Sequence, residues 1–364
     1  MFMNHLMKIS ELVYEIVDRN PSQLAEVLSV SESKGIVLQK DIFNKKIALV
    51  DKSKYKQVKY GDIVFNPFLL WNRAVGTCFL PKGGCTSPAY IVLRPKELKT
   101  SRFLHYFFRS SIFTNSIDNI AIGSVTRRRT APLTQILDLE FNLPSLPEQK
   151  QIDILLSALD DKIELNRRMN HTLESLAQAI FKHMFIDNPE REGWVEAKLD
   201  SICRFEYGKA LKAEHRKNGN IPVFGSNGCV GYHDDYLVKG PGIIIGRKGN
   251  PGTVMFSFTD FFVIDTAFYI VPKNSTNIYW LYYALKELNL PNLGADSAVP
   301  GLNRNIAYLS EITIPSSKLC LNFESVIRPI FEKKYLNDQE SNILAELRDT
   351  LLPKLMSGQV RVKL

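Results

Sequence analysis

The most regular pattern of hydrophobic positions begins at Ile152 and recurs at alternating spacings of four and three residues as far as Met184. This spacing places one apolar seam along a helix that packs lengthwise on another helix. Ser145 and Glu148 form a capping-box signal at its start, and a helix from Pro147 to His183 is predicted. At 1.5 Å per residue it is roughly 54 Å long, well beyond the usual length in globular proteins.

A second stretch, from Asn322 to Met356, repeats this seam and ends just before Gly358, a residue type that stops helices. A shift of 171 residues carries Asn166 onto Asn337 and aligns a Pro-Ser pair ahead of each stretch. Any two amphipathic helices share apolar positions. They do not in general share both an asparagine at the same position and a Pro-Ser pair ahead of the helix. The two stretches are therefore interpreted as copies of a duplicated segment.

The two predicted helices are expected to pair in opposite directions, because a parallel pair would require the intervening segment to return over roughly 54 Å. In a symmetric antiparallel register, facing positions sum to 507, so that Asn170 faces Asn337 and Asn166 faces Ser341. A buried asparagine in such a seam costs stability and can fix the register, whereas the alternative is that these asparagines are solvated. Pro329 predicts a kink or a late start in the second helix. The predicted helix-pairing seam comprises Leu156, Ile163, Asn166, Asn170, Ile180, Ile327, Asn337, Ser341, Leu344 and Leu351.

The segments outside the helices contain short β-like runs separated by glycine and proline, and these runs follow the same order twice. The predicted fold class is α+β, with two globular, β-rich mixed α/β domains joined by two long antiparallel coiled-coil helices in an internal pseudo-two-fold repeat. The predicted boundaries are 1–145 and 189–315 for the two globular domains, 146–188 for the first long helix, and 316–364 for the second helix with the C-terminal tail.

Composition restricts the function without assigning it. The net charge of +8 and the pI near 9.1 weakly favour an anionic partner. Five cysteines without a Cys-x-x-Cys pair indicate reduced thiols rather than a disulfide framework or a zinc site. Six histidines lack ligand spacing, so no metal site is predicted. Without a signal peptide or an apolar run of about 18 residues, a cytoplasmic protein is expected.

Basic residues recur in loops that begin with glycine, where long donor side chains can reach phosphates or guanine edges. The clearest case is the run of three arginines that follows Ile122-Gly-Ser-Val-Thr, although a solvated charge run is the alternative. The predicted DNA-binding residues are Arg73, Ser124, Thr126, Arg127, Arg128, Arg129, Asn227, Arg247, Lys248, Asn250, Asn303 and Arg304. No catalytic residue is predicted, because Phe65-Asn-Pro-Phe lacks the second proline of a methyltransferase motif and no cofactor loop precedes it.

Specific segments resemble a known family, the specificity subunits of Type I restriction-modification systems. Their central conserved region resembles Leu143-Pro-Ser-Leu-Pro-Glu-Gln-Lys-Gln-Ile and Leu159-Asp-Asp-Lys-Ile-Glu-Leu-Asn. Their distal conserved region resembles Leu347-Arg-Asp-Thr-Leu-Leu-Pro-Lys-Leu-Met-Ser-Gly. Segments of their second recognition domains are similar to Tyr232-His-Asp and Ile243-Ile-Ile-Gly-Arg-Lys-Gly. The resemblance covers essentially the whole chain and is weakest before about residue 50.

This resemblance implies a non-catalytic subunit with two target-recognition domains that read a bipartite sequence in double-stranded DNA. It also implies two methyltransferase subunits docked on the long helices, with restriction subunits in the full complex. The partner methyltransferase would bind S-adenosylmethionine and flip out the adenine that it methylates. Two alternatives stay open: a specificity subunit of a methylation-only or Type II-like bifunctional system, and a coiled-coil scaffold without DNA specificity.

Overall fold

The computed structural model describes residues 5–19, 24–31, 35–42, 52–67, 74–121, 130–294 and 301–362. The chain divides into two compact units. Unit 1 comprises residues 1–164 and 341–364, and unit 2 comprises residues 165–340. Each long helix passes from one unit into the other, so each unit contains part of both. The domain boundaries proposed along the sequence remain a prediction.

Unit 1 contains short strands, short helices and one part of each long helix. In chain order they are β1 (His5–Lys8), α1 (Ile9–Leu12), β2 (Val13–Glu15), β3 (Leu28–Ser31), β4 (Gly35–Leu38), α2 (Gln39–Ile42), β5 (Lys56–Val58), β6 (Ile63–Phe65), β7 (Val75–Thr77), β8 (Gly84–Thr86), β9 (Ile91–Pro95), α3 (Ser101–Arg109), α4 (Ser111–Ile120), α5 (Leu133–Asp138), β10 (Glu140–Leu143) and α6 (Leu146–Phe181).

Unit 2 begins within α6 and is built from the same kinds of elements. They are β11 (Val195–Lys198), α7 (Leu199–Ile202), β12 (Cys203–Tyr207), β13 (Ile221–Gly225), β14 (Gly228–His233), β15 (Gly242–Gly246), β16 (Val254–Ser257), β17 (Phe262–Val263), β18 (Ala267–Pro272), α8 (Ile278–Glu287), α9 (Arg304–Tyr308), β19 (Glu311–Ile314) and α10 (Ser317–Met356). No helix in the described ranges of either unit has an apolar run of the length that a bilayer requires.

The two units share the topology of their main sheet and of one strand pair. The main sheet has the strand order β2-β9-β6-β7 in unit 1 and β12-β18-β15-β16 in unit 2. Each unit also pairs its first strand with the strand that precedes its long helix, β1 with β10 and β11 with β19, both antiparallel. In each case a four-residue helix follows the first strand. The predicted internal repeat and the predicted α+β fold class are thereby confirmed.

The two long helices run antiparallel, and two contacts within unit 2 establish their direction. Nδ2 of Asn166 on α6 lies 2.8 Å from Oε2 of Glu340 on α10. Nζ of Lys334 lies 2.5 Å from Oε2 of Glu174. Residue numbers thus rise along α6 as their partners fall along α10. The predicted antiparallel helices are confirmed.

The second helix begins earlier than its proline suggested. α10 starts at Ser317 and continues through Pro329, so a late start at this proline was wrong. A proline inside a helix costs about 3 kcal/mol through its missing N–H and its ring. Phe323, Ile327 and Phe331 are buried on either side of it in one apolar cluster. Burial of side chains on both turns offsets the lost hydrogen bond, since each large apolar side chain contributes about 1.5–3 kcal/mol.

Each unit has its own aromatic core. In unit 1, the core packs Phe103 and Phe107 of α3 against the main sheet and the ends of the two long helices, with Leu156 and Leu355 among its members. In unit 2, the equivalent helix α8 buries all residues from Tyr279 to Leu285. The cores therefore fix each main sheet to the long helices.

Candidate nucleic-acid interface

The best-defined basic surface of unit 2 is the turn of residues 246–252, which joins β15 to β16. Strand β15 is buried along its whole length, so the chain emerges into solvent only at Arg247. A Cβ on Gly246 would lie 2.1 Å from the backbone oxygen of Asn250, and Gly249 has a positive φ of 83°. Both positions require glycine. The tight turn holds Arg247, Lys248 and Asn250 together at one end of the main sheet.

Thr266 connects this turn to two neighbouring segments. Its backbone oxygen accepts hydrogen bonds from the N–H groups of Arg247 and Lys248, at 2.9 and 3.1 Å. Its Oγ1 accepts one from the N–H of Ser226, at 3.3 Å. Ser226 precedes the exposed Asn227. One threonine thus holds the Arg247 turn beside the β13–β14 turn.

A third segment adjoins the same turn from the other side. The backbone oxygen of Arg247 accepts a hydrogen bond from the N–H of Leu302 at 2.9 Å, and Lys248 pairs with Gly301 in an isolated β-bridge. Asn303 then caps α9 by accepting the N–H of Asn305 at 2.9 Å. This cap starts α9 at Arg304, directly after the segment that adjoins the turn.

Two arginine side chains converge on one exposed tyrosine. The guanidinium carbons of Arg247 and Arg304 lie 5.1 and 4.8 Å from the ring centroid of Tyr207, the last residue of β12. Tyr207 is 48% exposed. Nη1 of Arg304 also donates to the backbone oxygen of Phe205 at 3.2 Å. Within the described ranges neither arginine has a carboxylate partner, so the cluster carries uncompensated positive charge beside an accessible aromatic ring.

A second polar arrangement lies where α6 and α10 pair within unit 2. Nδ2 of Asn337 donates to Oδ1 of Asn170 at 2.8 Å, and Nδ2 of Asn170 donates to Oδ1 of Asp338 at 2.7 Å. Nδ2 of Asn166 donates to the backbone oxygen of Asn337 at 3.3 Å and to Oε2 of Glu340 at 2.8 Å. Asn166 and Asn337 are each only 1% exposed. Buried side-chain amides need hydrogen-bond partners, and these amides find them on the opposite long helix. Their hydrogen bonds therefore define which residues of the two helices face each other.

Glu174 extends this arrangement towards the core of unit 2. It accepts hydrogen bonds from Lys286 of α8 at 2.7 Å and from Lys334 of α10 at 2.5 Å. Burial alone would raise the pKa of this carboxyl group, but the two lysine hydrogen bonds lower it to about 2. The carboxylate therefore stays charged and ties the globular part of unit 2 to both long helices.

Comparison with known proteins identifies the fold. The sequence profile described as the Type I restriction modification DNA specificity domain matches twice, over residues 18–175 and 191–319. The chain belongs to this family. The two matched segments fit recognition of a bipartite target, and the predicted function, a DNA specificity subunit of a Type I restriction-modification enzyme, is confirmed.

Individual members of the specificity family agree with this placement. The chain is 28% identical over 341 residues to the Type I restriction enzyme MjaIX specificity subunit of Methanocaldococcus jannaschii, covering 81% of this chain and 78% of that protein. It is 22% identical over 419 residues to the HindI specificity subunit of Haemophilus influenzae, covering 84% and 88%. The crystal structure of a Type I system S subunit from M. genitalium shares the fold, with a TM-score of 0.62, 19% identity, and 97% and 96% coverage.

Among the residues predicted to bind DNA in this family member, the structure brings one group together. Three segments hold this group, which we call the Arg247 cluster: Asn227, Arg247, Lys248, Asn250, Asn303 and Arg304. The remaining predicted residues lie outside the described ranges: Arg73, Ser124, Thr126, Arg127, Arg128 and Arg129. Contact with DNA stays a prediction for every residue of both groups.

Tyr207 was not predicted as a functional residue. Its only signal in the sequence is an aromatic side chain at the end of a strand, followed by Gly208 and Lys209. A Cβ on Gly208 would lie 2.2 Å from the backbone oxygen of Ile264, so the chain passes close to the segment that leads to Thr266. That close approach places Tyr207 beside the Arg247 cluster.

His233 has a structural role. It is 8% exposed, and its Nδ1 accepts a hydrogen bond from the backbone N–H of Lys217 at 3.1 Å. The part of the chain that the structure describes contains no group of three or more His, Cys, Asp or Glu side chains placed to hold a metal ion. The Arg247 cluster is a surface of cationic and amide side chains beside the ring of Tyr207, which is suited to binding an anionic polymer.

Proposed function

We propose that the chain recognises DNA without catalysing a reaction, and that each unit reads one part of a bipartite duplex target. The observation that carries this proposal is the repetition of the main-sheet topology in the two units, together with two matches to the specificity-domain profile. In unit 2 the reading surface is the Arg247 cluster. In unit 1 the corresponding candidates are the residues around Arg127 together with Arg73.

The Arg247 cluster has the chemistry that duplex recognition requires. Phosphate contacts need long cationic donors at the surface, and base contacts need donors and acceptors in fixed positions. Lys248 is exposed and can reach phosphates, while the exposed amides of Asn227 and Asn250 can read adenine edges. The absence of carboxylate partners for Arg247 and Arg304 in the described ranges leaves their charge available to an anion.

We also propose that two methyltransferase subunits dock on the long helices and that restriction subunits join the full complex. Three pairs of exposed apolar residues recur at the 171-residue shift: Leu155 with Val326, Leu165 with Leu336, and Leu176 with Leu347. Their exposed fractions lie between 38% and 53%. The pairing seam does not need these positions, because the seam residues are buried or half-buried. A repeated exposed apolar set fits two copies of one partner.

The chemistry of methyl transfer would belong to those partners. S-adenosylmethionine would be bound by the methyltransferase subunit, and the adenine to be methylated would be flipped into its pocket. The chain would contribute binding energy and position, acting in the cytoplasm where the DNA lies.

Methyl transfer from labelled S-adenosylmethionine to duplex DNA tests the proposal. The purified chain alone is expected to transfer no methyl groups, and the chain with methyltransferase subunits is expected to modify adenines in a bipartite motif. Transfer by the chain alone would contradict a non-catalytic role. Transfer that is independent of sequence in the assembled complex would favour a scaffold.

Copurification tests the docking surface. Leu165→Glu combined with Leu336→Glu is expected to abolish copurification with the methyltransferase subunit while leaving the thermal unfolding of the chain unchanged. Arg328→Glu, at an exposed polar position of α10, serves as the control and should copurify normally. Equal loss in both proteins would point to a general charge effect instead of the leucine surface.

A further inference from the structure

Arg247 and Arg304 place two positive charges against the single ring of Tyr207. Both guanidinium carbons lie within about 5 Å of one ring centroid, at 5.1 and 4.8 Å. The ring face attracts each cation, but the two cations repel one another. Elsewhere in unit 2 close lysines share a carboxylate, as Lys286 and Lys334 share Glu174. Here the described ranges supply none, so an external group of negative potential would complete the arrangement.

The two arginines are not equivalent. Arg304 uses Nη1 to donate to the backbone oxygen of Phe205, so part of its fork is already engaged. Arg247 makes no side-chain hydrogen bond within the described ranges, and its Nε is buried without a partner. Its backbone, however, is fixed on both sides, by Thr266 through its N–H and by Leu302 through its oxygen. Arg247 therefore combines a fixed backbone with two terminal guanidinium nitrogens that make no hydrogen bond within the described ranges.

We propose that Arg247 reads a guanine in the half of the target that unit 2 contacts, a role that rests on the proposed function. Guanine presents O6 and N7 side by side in the major groove, and the planar fork of arginine matches this pair. Tyr207 is the platform that holds the plane of the guanidinium group, and Phe268, at 6.0 Å, supports it from the strand β18. Arg304 is a positioning residue that holds Tyr207 and Arg247 in place.

The geometry favours a base over a phosphate as the ligand of Arg247. A phosphate accepts from any direction, so a mobile exposed side chain such as Lys248 is sufficient for it. A base edge accepts two hydrogen bonds in one plane, which rewards a donor whose backbone and side-chain plane are both fixed. Arg247 has both restraints, whereas the exposed Lys248 shares only the backbone restraint.

Sequencing of methylated products from a duplex library with a randomised target measures the role of each side chain. The complex of the full chain with methyltransferase subunits is used throughout. Arg247→Ala is expected to reduce the preference for one guanine by roughly 10- to 100-fold and to leave the other positions unchanged. Tyr207→Ala and Arg304→Ala should weaken preference at that same guanine, while Tyr207→Phe, which keeps the ring, should retain it.

Replacement of that guanine by 7-deazaguanine tests the contact with the unmodified protein, so it does not depend on the folding of a variant. With 7-deazaguanine, the wild-type complex should lose much of its preference for this position. The Arg247→Ala complex, which has already lost that preference, should show no further loss. An unchanged motif with Arg247→Ala, an equal loss over all sequences, or additive effects of the two changes would overturn the assignment. A wild-type complex with no motif at all would contradict the proposed function, whereas an intact motif in the Arg247→Ala complex would contradict only the role of Arg247.

Discussion

Asn166 donates a hydrogen bond from its side-chain amide to the backbone oxygen of Asn337 at 3.3 Å, and the two residues occupy the same position in the two copies of the repeat. A duplicated segment has thus placed its own two copies of one asparagine in contact. Such a contact is possible only where the two helices pair close to their shared centre. The amides therefore mark the alignment at which the helices are in register.

The amide network predicts coupling between Asn170 and Asn337. Asn337→Leu alone removes the donor to Oδ1 of Asn170 and should lower the free energy of unfolding by about 1–3 kcal/mol, the cost of an unsatisfied buried group. Adding Asn170→Leu should recover part of that loss, because both polar partners are then gone. Denaturant unfolding of the two single variants and the double variant measures the coupling.

The same double variant should be less specific in its assembly. Apolar seam residues tolerate shifted registers and higher oligomers that a buried asparagine excludes. Light scattering after size exclusion is expected to show additional species for Asn170→Leu with Asn337→Leu. Strictly additive stability losses together with a single unchanged species would show that these amides do not set the register.

Glu174 predicts a specific dependence of stability on pH. Its pKa in the folded chain, about 2, lies below the ordinary value of 4.5. A lowered pKa contributes stability that is fully present above pH 4.5 and is lost as the pH falls towards 2. Glu174→Gln should cost about 1–3 kcal/mol at pH 7. It should also flatten the fall in stability between pH 4.5 and 2.

Unfolding midpoints at pH 7, 4 and 2.5 test the prediction for Glu174. The control is Glu332→Gln, which removes an exposed carboxylate from α10 and should leave the stability at pH 7 nearly unchanged. Parallel curves for the wild type and Glu174→Gln below pH 4.5 would contradict the assigned pKa.

Much of the fold could be predicted from the sequence because the long helices carry their information locally. The alternating spacing from Ile152 to Met184 specifies a seam regardless of what lies at its ends. The antiparallel direction then follows from the length of the helices, because a parallel pair would require the intervening segment to return over roughly 54 Å. Pro329 shows the limit of such reasoning, since packing of Phe323 and Phe331 on either side overrode a local helix breaker.

The candidate site could be predicted only in part. Gly-led loops with basic residues identified Arg247 and Arg304 separately, and the repeat related Arg304 to the first unit. Their common platform, Tyr207, depends on contacts between segments that are far apart in sequence, namely β12, the 246–252 turn and α9. Local patterns contain no information on such contacts.

Arg361 predicts that the C-terminal tail stabilises unit 1. Its Nη1 lies 2.9 and 2.8 Å from the two carboxylate oxygens of Glu148, near the start of α6. The side chain of Glu148 is 2% exposed and that of Arg361 is 36% exposed. Arg361→Ala should therefore leave a buried carboxylate without its partner, at a cost of roughly 1–3 kcal/mol.

Hydrogen exchange and thermal unfolding measure the effect of Arg361. Faster exchange is expected in the first turns of α6 for Arg361→Ala, and Glu148→Gln in the same chain should restore much of the protection. Equal protection in the wild type and Arg361→Ala would show that the tail contributes nothing to unit 1.

Removal of Lys248 is expected to change the salt dependence of DNA affinity and to leave the sequence preference unchanged. It is exposed at the 246–252 turn, where one lysine neutralises about one phosphate. Lys248→Ala should weaken DNA binding by the assembled complex on all sequences and reduce the slope of log K against log salt by about 0.9. Lys198→Ala, at an exposed position of β11, should leave the slope unchanged. A sequence-dependent loss with Lys248→Ala would assign this residue to base readout.

Thr266 predicts that one hydroxyl group positions one part of the Arg247 cluster. Thr266→Val keeps the backbone oxygen that holds Arg247 and Lys248 but removes Oγ1, the acceptor for the N–H of Ser226. The expected cost in stability is about 0.5–1.5 kcal/mol, and the β13–β14 turn that carries Asn227 should lose its fixed position. Base preferences that depend on Asn227 should weaken, whereas those of Arg247 should persist.

Thr266→Ser keeps the hydroxyl and should behave like the wild type in both assays. Library sequencing with the three complexes measures the result, and an equal loss of all preferences with Thr266→Val would show that the segments of the cluster are held as one body.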